Sequence, residues 1–174
     1  GETPGVGGLT FGSHVLEEVL RMTIAEQRLE RVRRRAKVDA ILFWSLENIR
    51  YLCGFSGSDG VLIMTGHERT FLSDSRYEEQ ARGEVREATF KKYKQKIEGI
   101  VQFLQWLRVK RVGFESAAMP YESYQKLREK LPRVSFVPLS REIAGLRARK
   151  NREELEKIRR AIRIATESFL AASP

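Results

Sequence analysis

The sequence predicts an α/β layered domain, with a mixed β-sheet of about five to six strands flanked by helices. Three observations lead there. Segments with apolar residues at helical spacing alternate along the chain with short, nearly continuous apolar runs, the order expected when helices cover a sheet. Two of those runs are separated only by a tight turn, so at least one neighbouring pair is antiparallel and the sheet is mixed. Of the 174 residues, 41% are hydrophobic and 32% charged, which supplies a core and a solvated surface.

Residues Gly1–Ser13, GETPGVGGLTFGS, hold five glycines and one proline without sustained periodicity, a tail composition. Residues 1–21 are expected to be a tail, an expression remnant or a poorly ordered segment. The first residue is Gly, and Met22 is a candidate start of the folded unit, although Val15, Leu16, Val19 and Leu20 can already join a helix. From Thr23, Ile24, Leu29, Val32 and Ala36 share one side of a helix, with Glu26, Arg28, Arg31 and Arg35 outside. Val38–Trp44 (VDAILFW) is an apolar run with one interruption, consistent with a strand buried on both faces.

Ser45–Cys53 reads as a short helix with Ser45 as N-cap. Val61–Thr65 and Arg69–Leu72 form a hairpin around Gly66, His67 and Glu68. Asp74 or Ser75 caps a helix running through Tyr77–Ala81, and Ala88–Tyr93 is another strand. Gln95–Val109 is a helix with Ile97, Ile100, Val101, Leu104 and Leu107 inward. It is followed by a strand at Arg111–Glu115, a helix at Ala118–Leu131 entered through Pro120, a strand at Ser135–Pro138 and a short helix at Leu139–Arg147. Asn151 caps a last helix whose Leu155, Ile158, Ile162, Ala165 and Phe169 recur at spacings of three and four. That stripe is a docking face, expected to be buried by self-association when this chain stands alone.

Composition narrows the function classes. No apolar run approaches the ~20 residues that span a bilayer, and the start has no charged and apolar regions of a secretory signal. The one cysteine, Cys53, rules out an internal disulfide framework and fits a reducing compartment, so cytoplasm is the expected location. The net charge is +9. The basic residues are dispersed among apolar ones at helical spacing, as on solvated helix faces, and neither nucleic acid nor membrane is expected as a partner. A basic nucleic-acid-binding module, with Arg33–Lys37 (RRRAK) as its contact, is the alternative from another class.

Residue chemistry is sparse. His14 lies in the tail and His67 in a turn, and neither has metal-ligand spacing. Cys53, at a helix end, reads as a packed thiol. The glycines at 54, 57 and 60 are spaced GxxGxxG. That spacing fails the hydrolase elbow for Ser56 or Ser58, the dinucleotide fingerprint and the P-loop. Two readings of the loop stay open. It is a tight turn into the following strand, or it is presented to a ligand or a second subunit with Phe55 and Asp59 at its tip. Arg76 and Tyr77 divide likewise. Arg76 pairs with Asp59 or Asp74, or it meets a substrate.

Four segments carry a resemblance. NIRYLCGFSGSDG (Asn48–Gly60), LSDSRYEEQA (Leu72–Ala81), VGFESAAMPYESYQKL (Val112–Leu127) and LRARKNREELEKIRRAIRIA (Leu146–Ala165) occur in this order. Together they resemble the N-terminal domain of the creatinase, prolidase and aminopeptidase P family, over about Ala25–Leu170. Cys53 stands where threonine or serine is common there, and Ser75 where glycine is common.

The resemblance implies a creatinase-type N-terminal α/β domain at 22–148, then a linker and the first helix of a catalytic domain at 149–174. It implies no catalytic residue, metal ligand or cofactor in this chain. The parent enzyme would be an Xaa-Pro dipeptidase or aminopeptidase P with two divalent metal ions, manganese, cobalt or zinc, acting on short proline-containing peptides. The domain's partners would be its own catalytic domain and a second subunit, as in a homodimer. Phe55, Ser56, Ser58 and Asp59, then Arg76 and Tyr77, become the substrate-binding candidates on a wall of a neighbouring subunit's active site. A creatinase-like amidinohydrolase, or a homologue without metal, is the alternative within the family.

Overall fold

The structure, a computed structural model, describes residues 24–172. The readings made for residues 1–21, His14 and Met22 lie outside the described residues. Six strands, β1 (Ala40–Phe43), β2 (Val61–Met64), β3 (Arg69–Ser73), β4 (Thr89–Lys92), β5 (Arg111–Phe114) and β6 (Ser135–Pro138), form one sheet in the order β4-β3-β2-β1-β5-β6. The helices are α1 (Ile24–Ala36), α2 (Leu46–Cys53), α3 (Glu78–Glu84), α4 (Lys96–Trp106), α5 (Tyr121–Lys130), α6 (Ser140–Ala148) and α7 (Arg152–Ala172). A 3₁₀ turn at Ser75–Tyr77 leads into α3.

The sheet is mixed, as expected. β2 pairs antiparallel with β1 and β3, the latter through the hairpin, whereas β1–β5, β3–β4 and β5–β6 are parallel. Every residue of β1 (AILF) and β2 (VLIM) is buried. Both lie mid-sheet with both faces covered, which is why their sequences run apolar without alternation. Alternate residues serve opposite faces. Ala40, Leu42, Val61 and Ile63 join Ile100, Leu104, Val112 and Leu127 in the main core. Phe43, Leu62 and Phe71 are buried beyond it, with Leu62 opposite both Phe43 and Phe71 in the strand register. The sheet edges are polar or proline-bearing, with Lys91 and Lys92 on β4 and Pro138 on β6, residues that discourage strand addition.

One expected side differs. Glu26 of α1 is buried, not outside, because it forms an ion pair with Arg69 at the start of β3. The chain divides into two compact units between Ser140 and Arg141. In the second unit Asn151 Oδ1 accepts the Glu154 N–H (2.8 Å) while Glu154 Oε2 accepts the Asn151 N–H (2.6 Å). This reciprocal cap starts α7 where the sequence places it. Leu155, Ile158, Ile162 and Phe169 are exposed.

Candidate functional site

The glycine loop begins where α2 ends, and α2 is fixed from both termini. Ser45 Oγ accepts the Asn48 N–H (3.2 Å) as the N-cap. Behind it the Glu115 side chain, just after β5, accepts N–H bonds from Trp44 and Ser45 (2.6 Å each) and from Asn48 Nδ2 (2.5 Å). Glu115 is 3% exposed, so a buried acceptor satisfies donors that a helix start leaves free. At the other end Gly54 has φ 85°, a left-handed turn suited to glycine. A Cβ there would stand 3.0 Å from the Glu84 carbonyl oxygen.

Phe55 is not at the loop's tip. It is 1% exposed, its ring 4.3 Å from Phe71 and edge-on to Tyr77 at 5.7 Å. The ring is the loop's apolar anchor in the core, and burial of such a side chain is worth about 1.5–3 kcal/mol. Asp59 does not project freely either. Its carboxylate accepts from Lys96 Nζ (2.7 Å) and Tyr93 OH (2.8 Å), and its carbonyl accepts from Ser73 Oγ (2.7 Å). Lys96 also stands 4.3 Å over the Trp44 ring. Burial first, and then the bond to Asp59, push the Tyr93 phenol upward, so Tyr93 remains a donor.

Ser56 and Ser58 are exposed in the loop but already engaged. Ser56 N–H donates to Glu84 Oε2 at 2.7 Å, and Ser56 Oγ lies 2.9 Å from both Glu84 oxygens. Ser58 Oγ and Tyr77 OH lie 2.6 Å apart. The structure thus joins Phe55, Ser56, Ser58, Asp59 and Tyr77 into one framework.

Arg76 stands at its margin, its side chain 73% exposed. Of the two carboxylates considered for it, Asp74 is the partner. Asp74 caps the 3₁₀ turn through the Arg76 N–H (2.8 Å) and grips the guanidinium at 2.7–3.2 Å. The Arg76 hydrogen bonds hold Asp74 below the usual carboxylate range.

Sequence reasoning missed Glu84, Tyr93, Lys96 and Glu115. Glu115 was visible as the acidic residue closing the GFE segment, and Glu84 as the residue four after Gln80 on one helix face. No spacing rule connects Lys96 to Asp59. Chemically the framework offers shape and hydrogen bonds. Among the described residues no three His, Cys, Asp or Glu side chains are grouped so that they could hold a metal ion, and the carboxylates at the loop are engaged by cations, hydroxyls and N–H groups. No helix among them is long and apolar enough to cross a membrane.

The family model for the Creatinase/Prolidase N-terminal domain matches residues 27–149. The Bacillus subtilis (strain 168) protein named "Uncharacterized peptidase YqhT" is 30% identical over 133 residues, covering 76% of this chain and 38% of that protein. Two solved structures share the fold. The Xaa-Pro dipeptidase from Bacillus anthracis is 27% identical with a TM-score of 0.68, over 76% of this chain and 38% of that one. The N-terminal domain of the cytoplasmic peptidase PepQ from Mycobacterium tuberculosis H37Rv is 25% identical with a TM-score of 0.67, over 72% of this chain and 100% of that one. The chain thus spans 38% of the length of the curated relative it matches. With the family match running through all six strands and the loop they frame, this chain belongs to the Creatinase/Prolidase N-terminal domain family.

Proposed function

We propose that this chain is the non-catalytic N-terminal domain of a metal-dependent Xaa-Pro peptidase, a dipeptidase or aminopeptidase P of the cytoplasm. In that enzyme it supports assembly of a homodimer and narrows the active site of the neighbouring subunit. Its partners are its own catalytic domain, a second subunit and short proline-containing peptides. The divalent metal ions, manganese, cobalt or zinc, belong to the catalytic domain.

The observation that carries the reading is twofold similarity: to the Xaa-Pro dipeptidase from Bacillus anthracis over 38% of that chain, and to a solved peptidase N-terminal domain over its whole length. The loop supports the second half of the reading. A bond next to proline involves a tertiary nitrogen that donates no hydrogen bond. Gripping a short substrate from several sides compensates for that loss, and a wall used this way has to be rigid. Loop Phe55–Asp59 is anchored at Phe55, Ser56, Ser58 and Asp59.

The test compares this chain with the longer polypeptide that carries it, each supplied with manganese and an Xaa-Pro dipeptide. Cleavage by the longer protein alone is expected. Metal-dependent cleavage by this chain by itself would sink the non-catalytic assignment. Hydrolysis of creatine in place of Xaa-Pro peptides by the longer protein would move it to the amidinohydrolases.

A further inference from the structure

We propose that Glu84 is a latch that sets the position of loop Phe55–Asp59, and is thereby a positioning residue for discrimination by substrate length; the length filter rests on the peptidase reading above. The end of α3 and the residues just after it hold the end of α2 and the start of the loop at two points. Glu84 takes the Ser56 N–H at 2.7 Å and the Ser56 hydroxyl at 2.9 Å. The Arg86 N–H donates to the Cys53 carbonyl at 2.8 Å. Gly54 lies between those points, and the absence of a Cβ there lets the Glu84 backbone approach so closely. One turn earlier Gln80 Nε2 donates to Glu84 Oε1 (3.0 Å) and to Ser56 Oγ (3.2 Å), which fixes the carboxylate's rotation.

The far end of the loop has different anchors, Tyr77 on Ser58 and Lys96 with Tyr93 on Asp59. At the near end Glu84 is the side chain that takes the Ser56 N–H, with Gln80 beside it on the Ser56 hydroxyl. Hydrogen bonds at such an exposed site add little to global stability. Two short bonds from one carboxylate to one residue nevertheless restrict where that residue can sit. The Ser56, Ser58 and Asp59 side chains are each bonded within the framework, so those bonds set the outline that the loop offers a neighbouring subunit around Gly57. A surface of that kind excludes by shape, and length is what shape excludes.

Two measurements test this. Amide hydrogen exchange on this chain, with Glu84→Ala and Glu84→Gln, reads the latch. Glu84→Ala is expected to speed exchange at Ser56 and Gly57 about tenfold and leave Val61–Met64 within about twofold. In the longer enzyme, kcat/KM for an Xaa-Pro pentapeptide relative to an Xaa-Pro dipeptide is expected to rise about threefold or more in Glu84→Ala, and less in Glu84→Gln.

Unchanged exchange at Ser56 overturns the latch. A loosened loop with an unchanged length ratio overturns the filter. If Glu84→Ala also speeds exchange in β2, Glu84→Gln, which keeps the size and one acceptor, decides by the same two readouts. A wild-type longer protein that cleaves no Xaa-Pro peptide overturns the peptidase reading and the filter with it, while exchange on this chain still decides the latch.

Discussion

Asn48 Nδ2 donates to Glu115 Oε1 at 2.5 Å, joining residues 67 positions apart. Two of the segments that carry the family resemblance, Asn48–Gly60 and Val112–Leu127, are therefore bonded to each other through a buried side chain. Their shared role is to set α2, and hence the start of the glycine loop, against β1 and β5. Removing Glu115 takes the side-chain acceptor away from the Trp44 and Ser45 N–H groups and one acceptor from the Asn48 amide. Glu115→Ala is expected to lower unfolding free energy by about 2–4 kcal/mol, read from the urea midpoint at constant m. A loss under about 0.5 kcal/mol would show that water replaces the carboxylate without cost.

Gly60 and Gly83 should respond to alanine with opposite signs. A Cβ on Gly60 would stand 2.4 Å from two ring carbons of Phe71 and 3.2 Å from the Leu72 carbonyl oxygen. Phe71 is itself packed against Phe55 and Phe90, so the ring has little room to yield. Gly60→Ala is expected to cost about 1–3 kcal/mol by overpacking. Gly83 lies within α3 with nothing within 4 Å of the added Cβ. Gly83→Ala should therefore stabilise by about 0.5–1 kcal/mol through helix propensity. Thermal melts of the two variants check the pair, and equal shifts would contradict the geometry.

Glu84 gives the loop a pH dependence with a defined sign. The Ser56 N–H bond, then the bonds from Gln80 and the Ser56 hydroxyl, hold its carboxyl below the ordinary 4.5. A depressed carboxylate favours the folded arrangement above its unfolded value, and that preference is lost as pH falls through the folded value. The Ser56 amide resonance should follow Glu84 and titrate with a midpoint below the ordinary 4.5. A midpoint at or above 4.5 in an NMR titration would mean the Ser56 bond is not made in solution.

The apolar stripe on α7 makes a concentration-dependent prediction. Leu155, Ile158, Ile162 and Phe169 are exposed along one helix, and exposed apolar surface of this extent drives association. Sedimentation velocity of this chain should show the weight-average sedimentation coefficient rising with concentration. Ile162→Asp combined with Phe169→Asp should remove that rise. A wild-type chain that stays monomeric at high concentration would count against it.

The element order was legible because strands buried on both faces and amphipathic helices write different periodicities into the chain. β6 begins and ends at the expected residues, Ser135 and Pro138, and Ser45 and Asn151 cap the helices they were expected to cap. Caps are readable because donor and acceptor lie within three residues of one another. Glu26 was misplaced for the complementary reason. Helical spacing puts a charged residue outside unless a counter-charge waits inside, and Arg69 is remote in sequence.

The sequence by itself determined the fold class, the ordered motifs that identify the family, and the position of a glycine loop between α2 and β2. Each of these depends on local spacing or on segment order, which the chain carries directly. Only the tertiary structure decided what the loop's residues do. Phe55 is buried because Phe71 and Tyr77 converge on it, Asp59 turns to Lys96 and Tyr93, and Ser56 is held by Glu84. Those partners come from β3, the 3₁₀ turn, the segment after β4, and helices α3 and α4, and folding alone brings them to one place.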